Sequence, residues 1–402
     1  MEGLHSMSFR KKWFPKKKNK PDWFLLGAIA VLVIFGFVVL FSASYGYGQT
    51  KFDSGYYYVK QQLRGLIAGI VLMFFLYRIN YSKINTNKLT LLLYIGSICL
   101  LLLCFVPGIG TTDGVNSARR WLRLPIIGSF QPSELAKFAL LVVEAAILSR
   151  ARPNAFKLSW IAPVGVLLVA IPIVLLLYKQ PNFSILMITM ISYCIVLFVG
   201  GLTWQQSCIF LLIGATLAVI GAFGADYRVS RVTSFLRPFD EENITKGSQL
   251  RDSLYALGSG GVFGTGLGKS RMKFDFLSYG ESDFILAIIG EELGMVGLIF
   301  LLLLYFLLIW RGYLISIRAT NRFGALTAVG ITSLIAVQTF VHILVGIGLI
   351  PTTGVTLPFI SHGSSSLMCF MGAVGLLLNI SCDRRESSVP EQRTTKSERE
   401  EA

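Results

Sequence analysis

A succession of long apolar runs constrains this chain more than any other feature. A helix needs about 20 mostly apolar residues to cross a bilayer, and about ten stretches of roughly that length lie between residues 23 and 381. A helix-length window places them at 23–43, 63–79, 89–106, 134–149, 158–178, 184–201, 206–224, 283–310, 323–347 and 364–381. Charged residues make up 15% of the chain and apolar ones 53%, against about 25% charged for an average soluble domain. That excludes a disordered chain and an ordinary soluble domain. The fold it predicts is an all-α polytopic integral membrane protein of about ten transmembrane helices.

The placement of charge says more than its sum. A net charge of +15 suggests nucleic acid on a soluble protein, but no basic stripe interleaved with aromatics lies on a polar domain here, so no nucleic-acid partner is expected. Seven Lys/Arg precede the first run, which is too long for a signal-peptide core and has no small-residue cleavage site. If the N-terminus lies inside, 21 of the 37 Lys/Arg fall in cytoplasmic segments. Eight of the others sit in one long loop that the positive-inside rule does not count. The expectation is a multi-pass protein of a bacterial cytoplasmic membrane with both termini cytoplasmic. Its parts are a basic N-tail at 1–22, a membrane domain at 23–382 and a disordered tail at 383–402. Cys99, Cys104, Cys194, Cys208, Cys369 and Cys382 lie in or beside apolar runs and show no metal-binding spacing.

Polar groups that topology does not explain mark the candidate site. Arg119, Arg120 and Arg123 lie outside around Trp121, and guanidinium forks suit phosphate or pyrophosphate. Lipid phosphates or Asp113 are their plainer partners. In Gln131-Pro132-Ser133-Glu134 the proline suits a helix start, and Glu134 and Lys137 share one helix face. Such a pair inside a span reads as a functional site or as an ion pair between helices. The outer loop at 225–282 carries Arg228, Arg231, Gln249 and a glycine-dense run at 258–268, and its length predicts a lid or binding element. It ends at Asp283, an N-cap position for the eighth span, with Glu291 and Glu292 further along that helix. A carboxylate at this edge, beneath a basic loop, suits a base acting on a lipid-borne sugar. The last outer segment, Leu349 to Ser366, holds Ser361, His362 and two prolines and reads as a re-entrant or cavity-lining stretch.

In order and spacing these blocks resemble the SEDS family (shape, elongation, division and sporulation), which includes FtsW, RodA and SpoVE. The resemblance rests on Ala118-Arg119-Arg120-Trp121, Gln131-Pro132-Ser133-Glu134 with Lys137, Arg228 and Arg231, Gln249, Ser253 to Gly258, Gly264-Thr265-Gly266-Leu267-Gly268, Asp283-Phe284-Ile285, Gly290-Glu291-Glu292-Leu293-Gly294, Gln338 and Pro351 to Ser361. The stretch from Ser253 to Gly268 is closer to the FtsW/SpoVE branch. The resemblance implies a ten-helix glycosyltransferase that polymerises lipid II into glycan strands at the outer face of the membrane. It implies a class b penicillin-binding protein as partner, with other division or elongation proteins and membrane lipids. It puts the catalytic aspartate at Asp283 and a buried acid and base at Glu134 and Lys137. Arg119, Arg120, Trp121, Gln131, Ser133, Arg228, Arg231, Gln249 and Ser361 are then candidates for substrate binding, and a divalent cation such as Mg or Mn is the expected cofactor. Departures are Leu277-Ser278-Tyr279-Gly280 ahead of the aspartate, Asn182 for an aspartate, His342 for an asparagine, and changes at His362 and Ser364. The same features leave open a flippase for the lipid-linked precursor, or a non-catalytic scaffold for the penicillin-binding protein.

Overall fold

A computed structural model describes residues 19–112, 119–124, 128–151, 160–224, 226–236, 248–273 and 280–383. Among these residues there are twelve α-helices: α1 (Trp23–Phe52), α2 (Tyr57–Arg78), α3 (Asn87–Leu103), α4 (Pro132–Arg150), α5 (Ile161–Lys179), α6 (Phe183–Gly200), α7 (Trp204–Phe223), α8 (Asp226–Leu236), α9 (Ser248–Gly260), α10 (Ile285–Arg318), α11 (Arg322–Gly346) and α12 (Ser364–Ser381). A helix occupies each expected span. Seven of them, α1, α2, α5, α6, α10, α11 and α12, are long and apolar enough to cross a membrane. The helix α3 has 17 residues, and α4 carries Glu134, Lys137, Glu144 and Arg150.

The ends of these helices follow local chemistry. Asp22 caps α1 by accepting from Leu25 N at 3.0 Å, Thr203 and Gln206 close a capping box on α7, and Pro132 opens α4 where its missing N–H is harmless. At the centre stands α12, nearly all of it buried, packed against α2, α4, α10 and α11. Without water to expel between helices, close approach needs small residues. Gly65 and Gly69 on α2 and Gly375 on α12 supply it: a Cβ at Gly65 would lie 2.6 Å from the Ser364 Cα.

The helical membrane fold expected from the sequence is the one observed, with one small addition: residues on the loop before α4 form a three-stranded antiparallel sheet, β1 (Gly110–Thr112), β2 (Arg119–Leu124) and β3 (Gly128–Phe130), in the order β1-β2-β3. Strand pairing satisfies backbone groups that a bare loop would leave to water. Within the long loop after α7, α8 and α9 form.

The helix α10 is broken. Gly294 sits at φ +65°, outside helical space, and the backbone groups the break releases are taken up by the glycine-rich stretch after α9. Thr265 N and Gly266 N donate to the Glu291 and Glu292 carbonyls at 2.9 Å each, and Met295 N and Val296 N donate to Gly261 O and Val262 O at 3.0 and 3.1 Å. A Cβ at Gly264 would run into the Glu292 carbonyl, so the glycines there serve close backbone approach. Glu291 and Glu292 pin the same stretch with their side chains: Ser270 Oγ donates to Glu291 at 2.5 Å, Arg271 N donates to it at 2.8 Å, and Lys273 Nζ pairs with Glu292 at 2.8 Å. Ser42 on α1 also donates to Glu292 at 2.7 Å. Both glutamates are therefore anchors of the loop, which answers why carboxylates sit inside this span.

Candidate active site

The segment between α11 and α12, residues 347–363, has no regular structure, so its backbone needs partners from elsewhere. It finds them on five helices, and a side-chain bond adds a sixth. Arg231 of α8 donates to Thr352 O at 3.2 Å. Ser184 of α6 donates to Thr353 O at 2.7 Å. His342 Nδ1 of α11 donates to Val355 O at 2.8 Å. Gln338 of α11 donates to Thr356 O at 2.9 Å, the Tyr305 hydroxyl of α10 to Pro358 O, and Gln62 of α2 to Ser361 O at 3.1 Å. Thr356 Oγ1 donates to Ser366 Oγ of α12 at 3.2 Å.

The acid–base pair of α4 reaches this segment through Gln338. Lys137 Nζ lies 2.8 Å from Glu134 and donates to Gln338 Oε1 at 2.7 Å, while its charge sits 4.8 Å from the centre of the Phe370 ring. Gln338 passes the connection to Thr356. Lys137 is 0% exposed and Glu134 3%. Ser133 accepts from Asn182 Nδ2 at 3.1 Å, so Asn182 holds the start of α4 with an amide in place of a carboxylate. Gln131 is the N-cap of α4 and makes no side-chain capping bond.

Asp283 arrives from the opposite direction. Helix α10 begins at Ile285 with Phe284 as its N-cap and no side-chain capping bond, so Asp283 is not the N-cap its position suggested. Its Oδ2 stands 3.6 Å from where a Cβ of Gly354 would be, and Gly354 has φ +68°. Half-buried Asp283 thus lies against the segment where the segment lacks a side chain. Ser361 locks that arrangement: its hydroxyl donates to Ser282 O at 2.6 Å and accepts from Leu357 N at 2.9 Å. His362 N donates to Glu281 O at 2.9 Å. Burial lifts the Glu281 carboxyl above its ordinary range, with the Asp283 charge adding to the effect and Lys51 and a Tyr58 hydrogen bond opposing it.

Strand alternation sorts the candidates on the outer sheet. Trp121 and Arg123 line a cavity of about 650 Å3 between the sheet and the N-terminal end of α2. Arg119 is exposed at the strand's start. Arg120 points the other way, with its Nε buried and without a hydrogen-bond partner among the described residues. Gln249 is half-buried on α9, and Ser253 on the same helix donates to Gly346 O at 3.0 Å. Arg228 belongs to α8, but its side chain lies outside the described residues, as do Asp113, Ser278 and Tyr279. Sequence reasoning missed Tyr305, whose only signal was a lone polar side chain in an apolar helix, and gave no role to Gln62 or Ser184, which stand among other polar residues near helix starts. It also missed Lys60 and Arg64, which line the cavity.

A packed set of apolar helices that clamps a non-helical segment against a carboxylate defines a multi-pass helical membrane protein with an internal polar site. The chain belongs to the FtsW, RodA and SpoVE family, whose model, described as a cell cycle protein, matches residues 22–386. It is similar to stage V sporulation protein E of Bacillus subtilis, 38% identical over 370 residues that cover 91% of this chain and 98% of the relative. It is also 36% identical to the probable peptidoglycan glycosyltransferase FtsW of Geobacter metallireducens, covering 91% of this chain and 96% of that one. A solved chain from work on structural coordination of polymerization and crosslinking by a peptidoglycan synthase complex aligns with a TM-score of 0.74 at 29% identity, over 91% of this chain and 99% of that chain. The rod shape determining protein RodA of Thermus thermophilus aligns with a TM-score of 0.65 at 28% identity, over 91% and 98%.

Proposed function

We propose that this protein is a peptidoglycan glycosyltransferase that polymerises lipid II into glycan strands at the outer face of the bacterial cytoplasmic membrane. The observation that carries the reading is Asp283, held against Gly354 by a segment bonded on every side. The acceptor 4-hydroxyl attacks the anomeric carbon of the donor, its proton passes to the Asp283 carboxylate, and the bond to the undecaprenyl diphosphate breaks with its electron pair. Inversion at that carbon needs one base and no second carboxylate as nucleophile, unlike a double displacement. Asp283, half-buried against Gly354, is the carboxylate assigned that role.

Family relatives named as glycosyltransferases support the enzyme reading over a flippase or a scaffold. Glu134 and Lys137, both buried, act as positioning residues that brace the segment through Gln338. Arg231 and Ser361 brace it from its two ends, and Arg119, Arg120, Trp121, Arg228 and Gln249 are the residues proposed to contact substrate. Among the described residues no three His, Cys, Asp or Glu side chains cluster as metal ligands. Magnesium is commonly held by one or two carboxylates plus substrate phosphates, so Asp283 and Glu281 are the residues that would hold a divalent cation, which would offset diphosphate charge. A class b penicillin-binding protein is the partner proposed, in division, elongation or sporulation.

The test is polymerisation of labelled lipid II by the purified protein, alone and with class b partners, with moenomycin silencing other glycosyltransferases. Product from the wild type that disappears in Asp283→Asn supports the reading. No product from the wild type with any bound partner would overturn it in favour of transport or scaffolding.

A further inference from the structure

Residues 45–58, where α1 turns into α2, hold six aromatic side chains in fourteen positions, against 12% over the whole chain. The chemistry above does not use them as a group. The apolar run at 23–43 already spans a hydrocarbon core of about 30 Å, yet α1 continues to Phe52. Those nine further residues add about 13 Å, more than the roughly 5–8 Å of a headgroup layer. An aromatic belt at the membrane interface therefore accounts for Phe41 and Tyr45, while Phe52 and the rings gathered around it need another explanation.

These rings are ordered by stacking. Phe52 lies face to face with Tyr57, 3.8 Å between centroids and 7° between planes, and Tyr47 stacks on Tyr58 at 6.1 Å. Tyr58 joins the two pairs, meeting the Phe52 and Tyr57 rings edge-on at 5.8 and 5.3 Å. Tyr58 is buried, whereas Tyr47 and Phe52 are each 38% exposed. Lys51 stands at the rim and donates to the Tyr47 hydroxyl at 2.8 Å. The buried member of the set reaches the reacting end of the site: the Tyr58 ring meets His362 edge-on at 4.9 Å, its hydroxyl bonds Glu281, and His362 N holds Glu281 O. One side chain thus separates the exposed rings from the turn that carries Asp283.

We propose that Tyr47 and Phe52, backed by Tyr58 and Tyr57, form a stacking platform for the sugar rings of a β-1,4-linked glycan strand. The inference rests on the glycosyltransferase reading and names where its product is held. A β-linked pyranose turns axial C–H groups to one face, and such groups are drawn to the negative face of an aromatic ring. The stacked partners keep the platform rings from turning, which lowers the entropy lost on binding. The Lys51 ammonium and the Tyr47 hydroxyl supply hydrogen bonds for the hydroxyl and acetamido groups at the sugar edge. A strand that grows at Asp283 leaves on the side of the membrane where these rings stand, and a contact beyond the reacting sugars keeps it on the enzyme between additions.

The experiment is equilibrium binding of chitotetraose, a β-1,4-linked N-acetylglucosamine tetramer, to the full chain in a detergent without a sugar headgroup, with α-1,4-linked maltotetraose as the control. Chitotetraose is expected to bind and maltotetraose is not, and Tyr47→Ser with Phe52→Ser is expected to weaken binding by about tenfold. Tyr47→Phe with Phe52→Tyr should retain most of it, and an unchanged melting temperature shows that the variants fold. Equal binding by the wild type and the serine variant overturns the platform. No chitotetraose binding to the wild type overturns it too and returns the rings to the headgroup layer. Equal binding of the two tetrasaccharides overturns the β-linked assignment. Lipid II polymerisation without chitotetraose binding would sink this inference and leave the polymerase reading standing, and binding without polymerisation would do the reverse.

Discussion

Lys137, Glu144, His362 and Glu281 meet very different surroundings in this fold. Lys137 has a carboxylate, an amide oxygen and an aromatic face around it, so removing it strands Glu134. Lys137→Met is expected to destabilise the protein by about 3–5 kcal/mol, as breaking a buried pair does. Glu144, seven residues along the same helix, has both carboxylate oxygens buried without a hydrogen-bond partner among the described residues. Glu144→Met is expected to stabilise by about 1–3 kcal/mol, because it removes an unsatisfied buried group. Thermal unfolding of the two variants in one detergent checks the opposite signs. Burial pushes the His362 imidazole down to about 4. Its folded value lies below its unfolded one, so its contribution to stability is full above about pH 6.5 and is lost as pH falls toward 4. Glu281, whose value is raised, acts in the opposite sense: its contribution is full below about pH 4.5 and declines as pH rises. His362→Gln should therefore flatten the loss of melting temperature between about pH 7 and pH 5; an unchanged slope would assign that loss to other groups.

At the scale of elements, the broken helix and the glycine-rich stretch form one unit. Breaking α10 at Gly294 leaves backbone groups that only another backbone at van der Waals distance can satisfy, and the stretch from Gly261 to Gly266 supplies them. The unit places Lys273 against Glu292 and Ser42, which ties the outer loop to α1. Gly264→Ala combines a strained φ of +78° with a clash against the Glu292 backbone. It is expected to release the loop, so that limited proteolysis cuts within 261–273 in the variant and not in the wild type. If cleavage is unchanged, the backbone splice does not hold the loop.

Over the whole molecule, α12 is the post around which the other helices are arranged, and the two ends of the domain are pinned in different ways. At one end Asp22 accepts from Arg311 at 2.5 Å, and Tyr81, Thr320 and Asn321 gather around Asp383. At the other end lie the sheet, the basic cavity and the segment held against Asp283. Charge bias predicts that the first end faces the cytoplasm. Single cysteines added at each terminus of a variant lacking the native cysteines should then react with an impermeant maleimide in inside-out vesicles and stay protected in intact cells. Labelling of either terminus in intact cells would reverse the orientation.

The spans were legible because bilayer crossing is a local property: length and hydropathy within one window suffice. The Glu134–Lys137 pair was legible for the same reason, since three residues on a helix share a face. The blocks of the outer loops pointed to the family and to Asp283 without showing how these parts meet. Tertiary structure alone decided that meeting. The bonds that hold the segment join residues far apart in the chain, 79 apart for Ser361 and Ser282 and 299 apart for Gln62 and Ser361. No periodicity encodes such pairs, because an irregular backbone takes whatever donors the surrounding helices bring to it. Lys60 and Arg64 likewise look like ordinary charges near a helix start until the sheet closes over them, which is what makes a cavity of them.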